Sequence, residues 1–126
     1  MLTYSQTSGE MRDASGALLG TGYAGHGAGV NNPALQGIAD TGPLPQGVYT
    51  IKAPVDTTSH GPYVMWLTPD PVNHMFGRSA FGIHADERLN PGKHLASSGC
   101  IVMSGPARIA IWTAAQADGH QLKVTI

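Results

Sequence analysis

Apolar and polar positions alternate in short runs along this chain, with turn residues between the runs, a pattern that predicts strands. Leu2 and Tyr4, then Met11, alternate with polar neighbours on either side of Thr7-Ser8-Gly9, which reads as a hairpin. Asp13-Ala14-Ser15-Gly16 makes a second turn before Ala17-Leu18-Leu19, another strand candidate. The turn-rich Thr41-Gly42-Pro43-Leu44-Pro45-Gln46-Gly47 leads into Val48-Tyr49-Thr50-Ile51, whose β-branched and aromatic residues suit a pleated sheet. Tyr63 to Thr68 is a further strand, closed by Pro69-Asp70-Pro71. Alternation there puts Tyr63 and Met65 on one face and Trp66 on the other, in the core. Ala80 to His84 and Cys100 to Met103 are two more apolar runs, and Gln121 to Ile126 ends the chain with Leu122, Val124 and Ile126 alternating.

One segment has helical spacing. Ser104 or Gly105 is placed to cap it, Pro106 fits its first turn and Gly119 follows its end. Ile109, Trp112 and Ala115 recur on one side, with core packing the account of Trp112. Six or more strands and this helix predict a mainly β fold, a sandwich or partial barrel with one α-helix near the C-terminus. The stretch Gly20 to Gly29 fits neither a dinucleotide fingerprint nor a phosphate loop, and reads as backbone passing close to another element. Ala85 to Ser98, with Asn90-Pro91-Gly92, predicts a polar surface loop able to overhang a site.

Composition narrows the classes. The 126 residues are expected to form a single domain, and the 17 glycines and nine prolines imply many turns. Seven Lys/Arg against eight Asp/Glu, a formal charge of −1, offer no grip on nucleic acid or an anionic membrane. No segment reaches the apolar length of a membrane span, and the first ten residues lack the basic start and apolar stretch of a secretory signal. One cysteine excludes an internal disulfide.

That cysteine is where chemistry enters. Cys100 follows Ser97-Ser98-Gly99, a tight polar turn, so its sulfur is expected at a mouth rather than inside a strand. A free thiol is mostly protonated at neutral pH and needs a base or a positive neighbour to attack. His84 ends the preceding apolar run, so two strands ending side by side would bring imidazole to sulfur. Backbone N–H groups of Gly99 and Cys100, with Ser98, are the expected donors to a tetrahedral oxyanion. Arg78, six residues before His84, carries a fork that matches a substrate carboxylate, or is a surface arginine near a turn. Ser97 either supports the turn or bonds substrate, and Tyr63 is a further groove candidate.

Thr41-Gly-Pro-Leu-Pro-Gln-Gly-Val-Tyr-Thr-Ile51, then Ile83-His84, then Ser97-Ser98-Gly99-Cys100-Ile101, resemble in order the L,D-transpeptidase (YkuD-like) catalytic domain. Gly25 to Pro33 and Gly61 to Val64 look closer still to a compact branch that includes toxins delivered by type VI secretion. The resemblance runs roughly from Tyr4 to Trp112, and its His-to-Cys part is the more specific. Val102 stands where the main family often has Asn or Arg, Ser98 replaces a common His, and the loop after His84 is short. The resemblance implies a YkuD-like fold and attack by Cys100 on the third residue of a peptidoglycan stem tetrapeptide. D-alanine is then expelled through a thioester, with no cofactor and no metal. Trimming and D-amino acid exchange lead over crosslinking by analogy with the toxin branch. It also implies that the Ala85 carbonyl orients His84, with Asp86 as the competing orienter. The implied partners are an immunity protein and secretion machinery, and the implied place of action is the periplasm of a target cell.

Two other classes remain open from the residues. One is a zinc hydrolase using His84, His94 and Cys100, although no paired metal-ligand spacing is present. The other is a non-enzymatic cell-wall-binding β module, which needs no activated thiol.

Overall fold

The computed structural model describes residues 1–86 and 92–126. Its strands are β1 (Leu2–Ser5), β2 (Glu10–Arg12), β3 (Leu18–Thr21), β4 (Tyr23–Ala24), β5 (Gly47–Ile51), β6 (Val55–Thr57), β7 (Gly61–Pro69), β8 (Gly82–His84), β9 (Ile101–Val102) and β10 (Gln121–Thr125). One α-helix, α1 (Gly105–Ala117), lies between β9 and β10. The Tyr4–Met11 pairing makes the first hairpin, as alternation predicts. The two-residue β4 and the exposed β6 add to the predicted strands, both too short or too polar to leave a period.

The strands follow the order β3-β2-β1-β10-β5-β7-β8-β9-β4, with β6 on the side of β7. β7 changes partners along its length, pairing Met65 and Trp66 with β8 and Leu67 to Pro69 with β5. Its middle is therefore a corner. Val64 and Met65 are both buried in succession and Trp66 is only half-buried, outside the apolar core. Expected alternation fails here because both faces of the corner are covered.

β3 and β4 are the two ends of the path, yet only Gly22 separates them in sequence. The sheet therefore curls until its ends meet, which supplies the barrel-like closure. No side chain fits at that junction: a Cβ on Gly22 would stand 1.8 Å from the Val102 carbonyl oxygen. The interior is filled by Leu2, Tyr4, Met11, Ile51, Met65, Ile83 and Leu122, all buried.

α1 starts as predicted, with the Ser104 hydroxyl accepting from the Ala107 amide at 3.3 Å. Its buried face is Ala107, Arg108, Ile111 and Ala115, while Ile109 is 56% exposed. The expected Ile109 face is thus corrected. A Cβ on Gly20 would lie 2.6 Å from the Ala107 Cβ, and that close approach to β3 fixes the helix's rotation. Trp112 packs at the edge of the core. Ile126 falls beyond β10 and is exposed. Among the described residues no helix is long and apolar enough to cross a membrane.

Candidate active site

β8 and β9 run parallel, with Ile83 opposite Ile101 and His84 opposite Val102. Cys100 immediately precedes β9 and His84 ends β8, so the pairing sets the two on neighbouring strands. His84 stands one two-residue repeat, about 6.6 Å, further along than Cys100. Both line one cleft of about 370 Å³, together with Asp40, His60, Phe76, Arg78, Ala80, Phe81 and Ser98. A second cleft of about 640 Å³ is lined by Thr58 to Pro62, Ala85, Asp86 and Leu95. His60, His84 and Ala96 border both.

The turn carrying Cys100 is tied by Ser97, which is 3% exposed. Its hydroxyl donates to the Cys100 carbonyl at 2.7 Å and accepts from the amides of Gly99 at 2.9 Å and Gly25 at 3.0 Å. Three buried bonds leave no group for substrate, so Ser97 supports the turn. They also engage the Gly99 amide, which removes Gly99 from the expected oxyanion donors. What Gly99 supplies is conformation, at φ +143°, in a space where a Cβ would meet Arg78 and Phe81 within 2.7 Å.

Arg78 is the second tie. Nη1 donates to the carbonyls of Gln36 (2.5 Å) and Pro43 (2.9 Å), and Nη2 to those of Gly42 (2.9 Å) and Ser98 (3.0 Å). All four Nη hydrogens are thus spent on backbone, and the guanidinium sits 5.1 Å above the Phe81 ring. The expected carboxylate fork is therefore a clamp joining the Pro-rich loop to the cysteine turn. Its charge still acts on the sulfur. Tyr63 lines neither cleft; its carbonyl accepts from Arg108 Nη1 at 3.0 Å. The positive φ of 56° at Tyr63 turns it out of strand alternation.

Cys100 is 9% exposed, and its thiol donates to the Ala80 carbonyl at 3.7 Å rather than to the imidazole. Burial pushes the thiol above its ordinary pKa, against the pull of the Gly82 amide, the Arg78 charge and its own N–H. His84 is 3% exposed, with Nδ1 at 2.8 Å from the Ala85 carbonyl, the orientation expected from the family resemblance. Burial lowers its pKa below the ordinary value; the Ala85 bond and the Asp86 charge oppose this, while the charges of His60 and Arg108 add to it. The pair therefore rests as neutral thiol and neutral imidazole, not as an ion pair. Asp86 takes hydrogen bonds from the Tyr23 hydroxyl at 2.9 Å and the Gly92 amide at 2.8 Å, so the competing orienter is otherwise occupied.

His60 is the residue that sequence reading passed over. It sits at the β6–β7 turn, where its amide donates to Thr57 Oγ1 at 2.8 Å, and its ring centroid lies 4.9 Å from that of His84. Trp66 backs it edge-on at 5.4 Å. Nothing local signals this role, because the contact spans two strands. His94 stacks on Tyr23 at 4.4 Å and lines neither cleft, so it does not join His84 and Cys100. Among the described residues no group of three His, Cys, Asp or Glu is placed to hold a metal ion. Of the loop expected to overhang the site, residues 87–91 lie outside the described residues, while Ala85, Asp86, Leu95 and Ala96 wall the second cleft.

A buried cysteine in a tied turn and a buried, oriented histidine thus open on one cleft. A family profile described as the Tlde1 domain matches residues 20–126, and the chain belongs to that family of type VI secretion effectors. No curated protein and no solved structure matches the chain.

Proposed function

We propose that the chain is an antibacterial effector domain that transfers acyl groups of peptidoglycan stem peptides through a Cys100 thioester. The observation that carries this reading is the shared cleft of Cys100 and His84, with Nδ1 of the histidine fixed on Ala85 so that Nε2 remains for proton transfer. The substrate is a stem tetrapeptide, and the attacked carbonyl is that of its third, diamino acid residue. Cys100 forms a bond to that carbon as its proton passes to His84. The protonated imidazole then gives the proton to the departing D-alanine amine. Neutral resting forms suit this path, since the thiolate develops only as the C–S bond forms. Arg78 and the Gly82 amide stabilise that developing charge. The Cys100 amide, aimed at its own sulfur side, and the exposed Ser98 are the remaining oxyanion donors, worth roughly 3–4 kcal/mol for a well-aimed one.

Water as acceptor gives trimmed tripeptide, a D-amino acid gives exchange, and a stem amine gives a crosslink; trimming and exchange lead. The reaction takes place in the periplasm of a target cell, and the producing cell is protected by an immunity protein. Mass spectrometry of purified muropeptides incubated with the protein, with and without added D-amino acid, tests the reading. The native chain yields tripeptides and exchanged tetrapeptides, and Cys100→Ala yields neither. Turnover by a folded Cys100→Ala variant refutes the thioester.

A further inference from the structure

His60 has no part in the acylation just described, yet it borders both clefts and touches the base. Its turn is fixed: Thr57 Oγ1 accepts from the His60 amide and donates to the Gly61 carbonyl at 3.2 Å. Ser59 Oγ lies 2.7 Å from Nδ1, which settles the ring and leaves Nε2 as its second proton-exchanging atom. The ring is half-buried, so water or an amine reaches it from the larger cleft. His84, by contrast, is buried, and its Nδ1 is committed to Ala85.

We propose that the two histidines divide the reaction, with His84 serving the thiol and His60 taking the proton from the acyl acceptor that approaches through the larger cleft. The inference rests on the thioester reading above. In the step, the acceptor oxygen or nitrogen bonds to the thioester carbon while its proton moves to His60 Nε2. The C–S bond then breaks, and the departing thiolate recovers a proton from the imidazole pair. Cys100 thiol and both neutral imidazoles are restored, and no further reactant is needed. The closeness of the rings gives the proton its route: it passes from His60 to His84 Nε2, which returns it to the thiolate.

The test separates the half-reactions. The protein is mixed with stem tetrapeptide, and intact-protein mass spectrometry follows the Cys100 adduct while released D-alanine is counted. In His60→Gln, D-alanine release in the first turnover stays within about threefold of native, while decay of the adduct slows by about 100-fold, the range of a lost general base. The adduct therefore accumulates. His60→Asn behaves alike, and Ser59→Ala, which keeps the ring but frees Nδ1, slows adduct decay alone by a smaller factor. Near-UV circular dichroism reports folding of each variant, and the three variants carry the test independently. Equal slowing of both half-reactions, or native decay of the adduct in folded variants, overturns the division of labour while leaving the thioester in place. Release of D-alanine by a folded Cys100→Ala variant, or no Cys100 adduct in any of the slowed variants that still release D-alanine, overturns the thioester reading itself.

Discussion

Replacing Arg78 by lysine decides between a clamp and a substrate ligand. The guanidinium spreads four hydrogen bonds over two nitrogens, reaching Gln36 and Pro43 from Nη1 and Gly42 and Ser98 from Nη2. An ammonium is a single centre and reaches one of these pairs, so two carbonyls lose their donor. A hydrogen bond to a charged group contributes about 1.5–3 kcal/mol, and the lower figure applies because the Ser98 carbonyl is exposed and the rest partly so. Losing two therefore costs about 3 kcal/mol. For a chain of this length that corresponds to a fall in Tm of roughly 10 °C. Thermal unfolding followed by the fluorescence of Trp66 and Trp112 measures it, with kcat and KM for stem tetrapeptide taken alongside. The clamp predicts a large loss of Tm and a fall in kcat, as the cysteine turn loosens, with KM little changed. A Tm within about 2 °C of native together with a tenfold rise in KM would falsify the reasoning and restore the carboxylate role.

Three further outcomes are expected. Ile111→Ala lowers stability by about 2–5 kcal/mol in urea titrations, whereas Ile109→Ser stays within about 0.5 kcal/mol; a reversed order contradicts the helix rotation set by Ala107. The buried His84 has a folded pKa below its unfolded value near 6.5, so its stabilising effect is complete above that value and is lost as pH falls through the folded pKa. Between about pH 7 and pH 5 the urea midpoint of the native chain should drop relative to His84→Gln, and parallel midpoints refute the burial effect. Cys100 works in the opposite window, since its folded pKa is raised. Its effect is present below the unfolded value and lost as pH climbs past the folded one, which comparison with Cys100→Ala at alkaline pH detects.

Local chemistry made much of this molecule legible in its sequence. The Tyr4–Met11 hairpin, the strand at Val48 to Ile51 and the helix cap at Ser104 follow from spacing and turn residues alone. The neighbourhood of Cys100 and His84 was legible too, because the turn before the one and the run ending at the other are contiguous segments that border one cleft. What spacing did not carry was made by distant backbone. Arg78 is a clamp because four carbonyls from three separate segments converge on it, and carbonyls carry no letter in a sequence. Trp66 left the core because β7 is a corner with two sets of partners. His60 was one of six histidines until β6 and β7 folded it against His84.

The pairing of Leu2 with Leu122 sets the first strand beside the last, and Gly22 joins the two rims of the sheet. The fold is thus a ring in which the two ends of the chain lie side by side and Gly22 closes the seam. Any nascent or proteolysed piece lacking either end loses the pairing of β1 with β10. Assembly dominated by such distant pairings is slow, so the cleft takes shape only as the whole polypeptide comes together.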